Sequence, residues 1–389
     1  MTNSSIDNTM TTPSLREGSF FFEEHDLYCE GIRIKDIKVS TPCFIYSRQQ
    51  LLNNISKYKE AFPSNTIIGF SLKSNFNPHL LKLIHDQGLS VVTVSGYEVQ
   101  LALNTGFSGD QIFYNGVGKQ EWEVRLAINN NCFLNVDSLF DAEMISNVAT
   151  HLDKRVNVLI RIKPPSSAEV HPFLNTGQDS KFGISLSDLS EVINLLNRNS
   201  LITIVGVHVH VGSTVKDISV YKEVHRFITE LIDQNKTDLR DARMIDLGGG
   251  LAIDYHHDGD APTPAHLAEV LDDELRNSEY KLVLEPGRSI TASSCILLCT
   301  VLGIKDGDDG DVSYAVVDAA MTELIRPALY GAHHHVVACH QRPGDDLVKY
   351  HVVGPVCESA DIIAANVDLP KLQKGSSLFL PHQLMTKII

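Results

Sequence analysis

Eight times between residues 65 and 286, a short β-branched run gives way to a helix-like stretch and then to another short run. That grammar admits few folds, because parallel strands joined by crossover helices must be covered on both faces of their sheet. The strand candidates are 66–72, 89–95, 112–115, 132–137, 156–162, 204–211, 243–247 and 280–285. Between them lie helical patterns such as HLLKLIHDQG, EVQLALNTG, EWEVRLAINNN and LSEVINLLNRN, several closed by the Gly or Asn that stops helices. Eight alternations match an α/β fold of the TIM-type (β/α)8 barrel in count and length. The competing fold, a doubly wound open sheet, uses the same alternation with about six strands.

Outside that block the pattern changes to strand-like pieces: SFFFEE, DLYCEGIRI and TPCFIYS before it, and YAVVDAA, HHHVVAC, YHVVGPV and SLFLP after Gly287. Turns such as KDGDDGD and RPGDD separate the later ones. The expected organisation is a barrel over 45–285 and a β-rich domain assembled from both chain ends, 19–44 plus 286–389. Residues 1–18, rich in Ser and Thr, read as a flexible tail. A chain of 389 residues suits two or three domains at roughly 100–200 residues each.

Charge and cysteine usage exclude several function classes. With 33 basic and 48 acidic residues the net charge is −15, which argues against nucleic acid or an anionic membrane as partner. The longest uncharged apolar stretch, 289–304, is too short and too polar to span a membrane. Seven cysteines, an odd number with no CxxC, argue against a disulfide framework or a structural zinc site. The amino-terminal segment has no apolar signal core, so a cytoplasmic protein is expected, with a plastid as the alternative.

In barrels of this kind, chemistry sits at the carboxyl ends of the strands. All eight ends carry polar residues: Lys73, Ser95, Asn115, Asp137, Arg161, the HVHVGS run, the LGGG run and LEPGR. Lys73 directly follows an apolar strand, where desolvation lowers an amine's pKa as a Schiff-base lysine requires; a lysine snorkelling from the rim is the plainer reading. Gly248-Gly249-Gly250 offers backbone N–H groups to an anion, as a phosphate nest or as a plain tight turn. His208 and His210 are two apart on a strand and so share a face. They suit either a zinc pair, with no third ligand at a recognisable spacing, or a flat imidazole stacked on an aromatic cofactor. Gly212-Ser213 adds phosphate donors. Glu285 beside Arg288 can pair with a protonated ring nitrogen while the arginine binds phosphate or carboxylate. GVGK at 116–119 imitates part of a P-loop, but Gln120 stands where Ser or Thr is required. The run His333-His334-His335 is scattered by any strand or loop and makes a poor metal site. A lysine, a glycine nest, a stackable histidine, an acid and an arginine are together what pyridoxal phosphate needs.

From about residue 41 to 370 the chain resembles the alanine-racemase-like, fold type III pyridoxal-phosphate decarboxylases, in their diaminopimelate decarboxylase branch. The resemblance rests on LKSN, VSGYE, FYNGVGK, NVDS, HPFLNTGQDSKFGI, HVHVGST, DLGGGLAIDY, LEPGRS, ELIRPALY and VGPVCESAD. HPFLNTG with SKFG, and VCESAD, belong to the diaminopimelate branch; ornithine decarboxylases carry aspartate where Glu358 stands. The resemblance assigns Lys73 the covalent hold on the cofactor and His210 the stack on its ring. Ser213, Gly249, Gly250 and Gly287-Arg288 would hold the phosphate, and Glu285 the pyridine nitrogen. Cys357 would donate a proton from the partner subunit of a homodimer with shared active sites. Arg288, Arg326, Tyr330 and Glu358 would grip the far end of the substrate. The implied reaction turns meso-2,6-diaminopimelate into L-lysine and carbon dioxide, with no metal. A sister decarboxylase of a basic amino acid or polyamine precursor, or a non-catalytic regulatory relative, is the alternative. One departure stands out. Family members continue past a segment like KGSSLFL into an Asp-Ala-Gly-Ala-Tyr motif, whereas this sequence reads PHQLMTKII at 381–389. The chain is therefore expected to bind the cofactor but to turn over poorly.

Overall fold

A computed structural model describes residues 19–163, 181–255, 259–307 and 312–381. The tail at 1–18, the HPFLNTG stretch and residues 382–389 lie outside the described residues. Four short strands come first: β1 (Phe20–Glu23), β2 (Asp26–Cys29), β3 (Ile32–Arg33) and β4 (Cys43–Tyr46). Eight more then alternate with helices. They are β5 (Ile67–Ser71), β6 (Ser90–Thr93), β7 (Ile112–Tyr114), β8 (Phe133–Val136), β9 (Val156–Arg161), β10 (Ile202–His208), β11 (Met244–Asp246) and β12 (Lys281–Leu284). All pair in parallel, and β12 returns to β5 through Val283–Ile67 and Leu284–Ile68 to close the ring. The eight-stranded barrel expected from the alternation is present, each strand falling where its β-branched run does. The open sheet is excluded.

The chain divides into two compact units. One holds residues 53–253 and 260–291 and contains the barrel; the other joins the two chain ends, up to residue 52 and from residue 292, with the segment 254–259. In the second unit, β13 (Cys295–Lys305), β14 (Ser313–Val317), β15 (Val337–Ala338), β16 (Leu347–Val353), β17 (Ile362–Pro370) and β18 (Ser377–Pro381) join β4 in one sheet, beside a separate sheet of β1, β2 and β3. β13 is its spine. Its first half pairs with β4 on one side and β18 on the other, and its second half with β14 past a register shift at Val301/Gly303. Sequence analysis named neither β13 nor β17. β13, CILLCTVLGIK, lies within the uncharged stretch 289–304 except for its last residue, Lys305, and that stretch was weighed above only as a membrane span. Among the described residues no helix is long and apolar enough to cross a membrane.

Several helices in the barrel unit begin at side-chain caps, which satisfy N–H groups that a helix start leaves unpaired. The hydroxyls of Ser95, Ser138 and Ser185 accept from the backbone N–H groups of Glu98, Asp141 and Asp188 at 3.2–3.3 Å. Three buried acids, each third in its helix, then lace neighbouring loops together. Glu98 accepts from the Val94 N–H at 2.7 Å, Glu123 from those of Gly96 and Gln120 at 2.6 and 2.7 Å. Asp141 receives Lys119 at 2.6 Å, with both side chains out of contact with water. Lys119 spends its other donors on the carbonyls of Gly116 and Asn135. The GVGK imitation of a P-loop is thus a structural clamp.

Removing one partner of a buried ion pair strands the other charge and costs about 3–5 kcal/mol. Lys119→Ala is expected to destabilise the protein by about that amount in urea unfolding, and Lys119→Ala with Asp141→Ala to recover part of the loss. A single-variant loss no larger than that of an exposed pair, about 0–1 kcal/mol, would contradict the clamp.

Candidate active site

Each barrel strand contributes one residue to a single apolar cluster: Ile67, Val92, Phe113, Phe133, Leu159, Val205, Met244 and Val283. Strand side chains alternate faces, so residues two further on point the same way, one level nearer the carboxyl ends. At five of those positions stand Asn115, Asn135, Arg161, Asp246 and Glu285. A sixth polar group, His208, enters from β10, whose register shifts between Ile204 and Gly206 to set His208 opposite both Arg161 and Asp246. The barrel is therefore filled with hydrocarbon at one level and with hydrogen-bonding groups at the next.

Glu285 is the centre of that polar level. Asn115 Nδ2 donates to its Oε1 at 2.7 Å, and Asn135 Nδ2 donates in turn to Asn115 Oδ1. His208 Nε2 lies 3.8 Å from Glu285 Oε2. The ligand atoms of His208, Asp246 and Glu285 fall within 4.8 Å of one another, and all three residues are buried. Burial pushes the Glu285 carboxyl up, against the pull of the Asn115 hydrogen bond and the charges of Lys73 and Arg161. His208 is held well below the usual imidazole range, by desolvation first and then by Arg161, His210 and Lys73. Arg161 itself is bonded to Asp137 Oδ1 at 3.1 Å.

Above this level opens a pocket that brings together eight residues singled out from the sequence. Lys73, His210, Glu285 and Arg288 line it with side chains, and Ser213, Gly249, Gly250 and Gly287 complete the wall. β5 stops at Ser71, and Lys73 sits in the single tight helical turn Leu72–Ser74 that follows. The Lys73 side chain faces the open space of the pocket. Crowding by the walls nevertheless lowers its pKa, desolvation being the largest cause, with Glu285 opposing and Arg161 reinforcing. β10 ends at His208, so His210 is not its strand neighbour on one face as the sequence spacing suggested. It lies in the turn beyond, with Gly212 at φ +133°. There His210 Nδ1 accepts from the Gly249 N–H at 3.4 Å, and burial pushes the ring down to about 3, so it is neutral. His208 groups instead with two acids, which the search for a zinc pair did not foresee.

The glycines are required by close approach. A Cβ on Gly249 would lie 2.2 Å from the Glu285 carbonyl oxygen, and one on Gly250 would lie 2.0 Å from that of Gly212. Asp246, Asn135 and His208 were missed as a group. The offset of two residues from an inward-facing hydrophobe finds Asp246 and Asn135; His208 is set at this level by the register shift in β10.

The other four residues singled out belong to the β-rich unit. Arg326 opens the short helix Arg326–Tyr330. Its Nη1 donates to the Tyr255 hydroxyl at 2.9 Å and lies 3.1 Å from Nε2 of the buried His334. Tyr330 is exposed. Cys357 and Glu358 stand on an exposed loop whose clasp is Asp361. One Asp361 oxygen accepts from the Met321 N–H at 2.6 Å and the other from the Val356 N–H at 2.9 Å. Of the seven cysteines, all unpaired, only Cys357 is exposed. Burial pushes the other thiols up, those of Cys29, Cys132 and Cys339 to about 12.

Residues 48–292 match the family described as "Pyridoxal-dependent decarboxylase, pyridoxal binding domain". The chain is 37% identical over 359 residues to a "Probable diaminopimelate decarboxylase, chloroplastic" of Oryza sativa subsp. japonica, covering 90% of this chain and 73% of that protein. It is 34% identical over 361 residues to the diaminopimelate decarboxylase of Aquifex aeolicus, covering 92% and 85%. The crystal structure of M. jannaschii diaminopimelate decarboxylase in co-complex with L-lysine superposes with a TM-score of 0.88 at 28% identity, over 94% of this chain and 87% of that one.

Two outcomes follow from the geometry. Iodoacetamide is expected to alkylate Cys357 well before any other thiol in the native protein, because buried thiols of raised pKa are inert. A fast phase that survives Cys357→Ser would contradict this. Asp361→Ala is expected to speed amide hydrogen exchange at Met321 and Val356, and unchanged protection there would remove the clasp.

Proposed function

The chain belongs to the pyridoxal-dependent decarboxylases, in the diaminopimelate decarboxylase family, and from that premise we propose that it converts meso-2,6-diaminopimelate into L-lysine and carbon dioxide. The observation that carries this reading is the single pocket joining Lys73, His210, the glycine wall and Glu285. Its residues fit pyridoxal phosphate. Gly249 and Gly250, packed too tightly against neighbouring carbonyls to admit a Cβ, line the pocket with Ser213, Gly287 and Arg288, a wall of backbone and cation suited to a phosphate. Lys73 offers an amine biased toward its neutral, nucleophilic form. The uncharged ring of His210 offers a flat face for stacking, and Glu285 an anion for the pyridine nitrogen.

Bound there, pyridoxal phosphate supplies the sink for the electron pair left when a carboxylate departs as carbon dioxide. The chain's own residues do the rest. Lys73 would hold the cofactor through its amine. Cys357, in the β-rich unit and exposed, returns a proton to the carbon that lost carbon dioxide, with Glu358 beside it. We assign both to the active site of a partner subunit, making the working form a homodimer. Arg288, Arg326 and Tyr330 with Glu358 recognise the far end of the substrate: a planar guanidinium suits its carboxylate, and a glutamate suits its ammonium. Tyr255 and His334 hold the Arg326 guanidinium in place. Seven unpaired thiols suit a reducing compartment. We take it to be the cytoplasm, with a plastid as the second choice.

Incubating the purified protein with pyridoxal phosphate and meso-diaminopimelate is expected to release lysine and carbon dioxide in equal amounts. Release of carbon dioxide from ornithine but not from diaminopimelate would overturn the substrate. Lys73→Ala is expected to abolish the visible absorption of the covalently held cofactor, and a persisting band would move the attachment elsewhere.

A further inference from the structure

Asp246 is a carboxylate of the barrel's polar level that the reading above does not use. It is fully buried, and its two oxygens have different surroundings. Oδ1 accepts from the Gly248 N–H at 2.8 Å, which fixes the carboxyl plane against the start of the glycine run. Oδ2 is buried with no donor directed at it, and its neighbour is another carboxylate, Glu285. The charged and titratable groups facing this pair are Lys73, Arg161, His208 and His210. His208, closest to Glu285, has neither ring nitrogen hydrogen-bonded. Two carboxylates sharing one dry site cannot both ionise. An unprotonated Asp246 would leave Oδ2 without a partner, whereas a protonated one has its acceptor at hand.

We propose that Asp246 is a positioning residue that carries a proton in the folded protein and donates it in a hydrogen bond from Oδ2 to Glu285, so that Glu285 keeps the negative charge and is aimed at the pyridine nitrogen. The proton stays on Asp246 because Glu285 has compensation that Asp246 lacks. Asn115 donates to Glu285 at 2.7 Å, and Lys73 lies on its side of the pair. Burial and the Glu285 charge both push the Asp246 carboxyl up. Glu285 is then held by two donors, one from β7 and one from β11, with no freedom to turn away from the pocket. The same proton removes the cluster from use as a metal site, since His208, Asp246 and Glu285 cannot serve a cation while Oδ2 is protonated.

The inference rests on Glu285 facing the cofactor, and the test separates the two. In the full chain without cofactor, the infrared difference spectrum between wild type and Asp246→Asn is expected to show the carbonyl band of a protonated, buried carboxylic acid, shifting in heavy water. No such band, or a stoichiometric divalent ion in the purified protein, would overturn the proposal whatever the cofactor does. In the loaded enzyme, Asp246→Ala is expected to lower kcat on the order of 10²-fold with little change in KM, the size of effect that misplacement of a reacting group produces. It should also shift the cofactor's absorption maximum. Asp246→Asn, whose amide still donates to Glu285 and whose oxygen still accepts from Gly248, is expected to recover most of both. If Asp246→Asn is no better than Asp246→Ala, the neutral donor is wrong. If the carboxylic band is present but Glu285→Gln leaves the cofactor spectrum and kcat unchanged, the pairing of Glu285 with the ring is overturned, and with it the use of Asp246.

Discussion

Closing eight parallel strands into a ring leaves space inside for only a few side chains at each level, and every strand must supply them at the same height. That constraint governs the whole barrel unit. One level is given to Val92, Phe113, Phe133, Leu159, Val205, Met244 and Val283, with the Phe113 and Phe133 rings stacked 4.8 Å apart. Because the period along a strand is two, the next inward level is fixed as soon as the first is chosen. The chain places amides, acids and a guanidinium there, where each must find a partner or stay uncharged. The apolar level is thus the floor that makes the polar level dry, and dryness is what shifts its titrations.

Those shifts are one phenomenon seen from several sides. Glu285 is pushed up by burial and pulled back by Lys73, and Lys73 is pushed down by burial and pulled back by Glu285. Burial disfavours each charge and the other charge opposes that push, so the two titrations are linked. His210 and His208 add no charge, being held neutral by burial and by the cations around them. A neutral ring over a cofactor costs nothing in repulsion toward Lys73. The acids at the third helical positions, Glu98, Glu123 and Asp141, work at the rim, where they fix the loops that carry the polar level's neighbours.

Much of this was legible in the sequence because local rules and the global fold agree. The barrel strands are β-branched runs bounded by caps and glycines, and the pattern finds seven of the eight to within two residues at each end, β10 being the exception. Lys73, Glu285 and the glycine run stood out because a charged residue or three glycines at the end of an apolar run conflict with packing. Asp246 did not stand out, since DLGGG draws the eye to its glycines. Asn135 hid inside the buried run FLNV for the same reason. His208 and His210 were misread as a pair because β10 was extended three residues too far. The register shift that sets His208 against Arg161 and Asp246 has no signature in composition. β13 was passed over because the stretch 289–304, tested for a membrane and found too short and too polar, was not then tried as the spine of a sheet. The β-rich unit draws its strands from both chain ends, and pairings of that sequence separation leave little local trace.

A net charge of −15 opposes the approach of a phosphate and a dicarboxylate, and the resolution is one of range. Charges spread over the surface are screened within about 8–10 Å at physiological salt, whereas buried groups are screened much less. Within the pocket and beneath it the cations are Lys73, Arg161 and Arg288, against the acids Asp137, Glu285 and Asp246. Were all six charged, they would cancel, and an anionic ligand would gain nothing by entering. A proton kept on Asp246 shifts that sum by one unit in the ligand's favour. It does so on the dry level above the apolar floor, where a buried group is screened little. An acid that carries no charge there favours an anionic ligand as much as an added cation would.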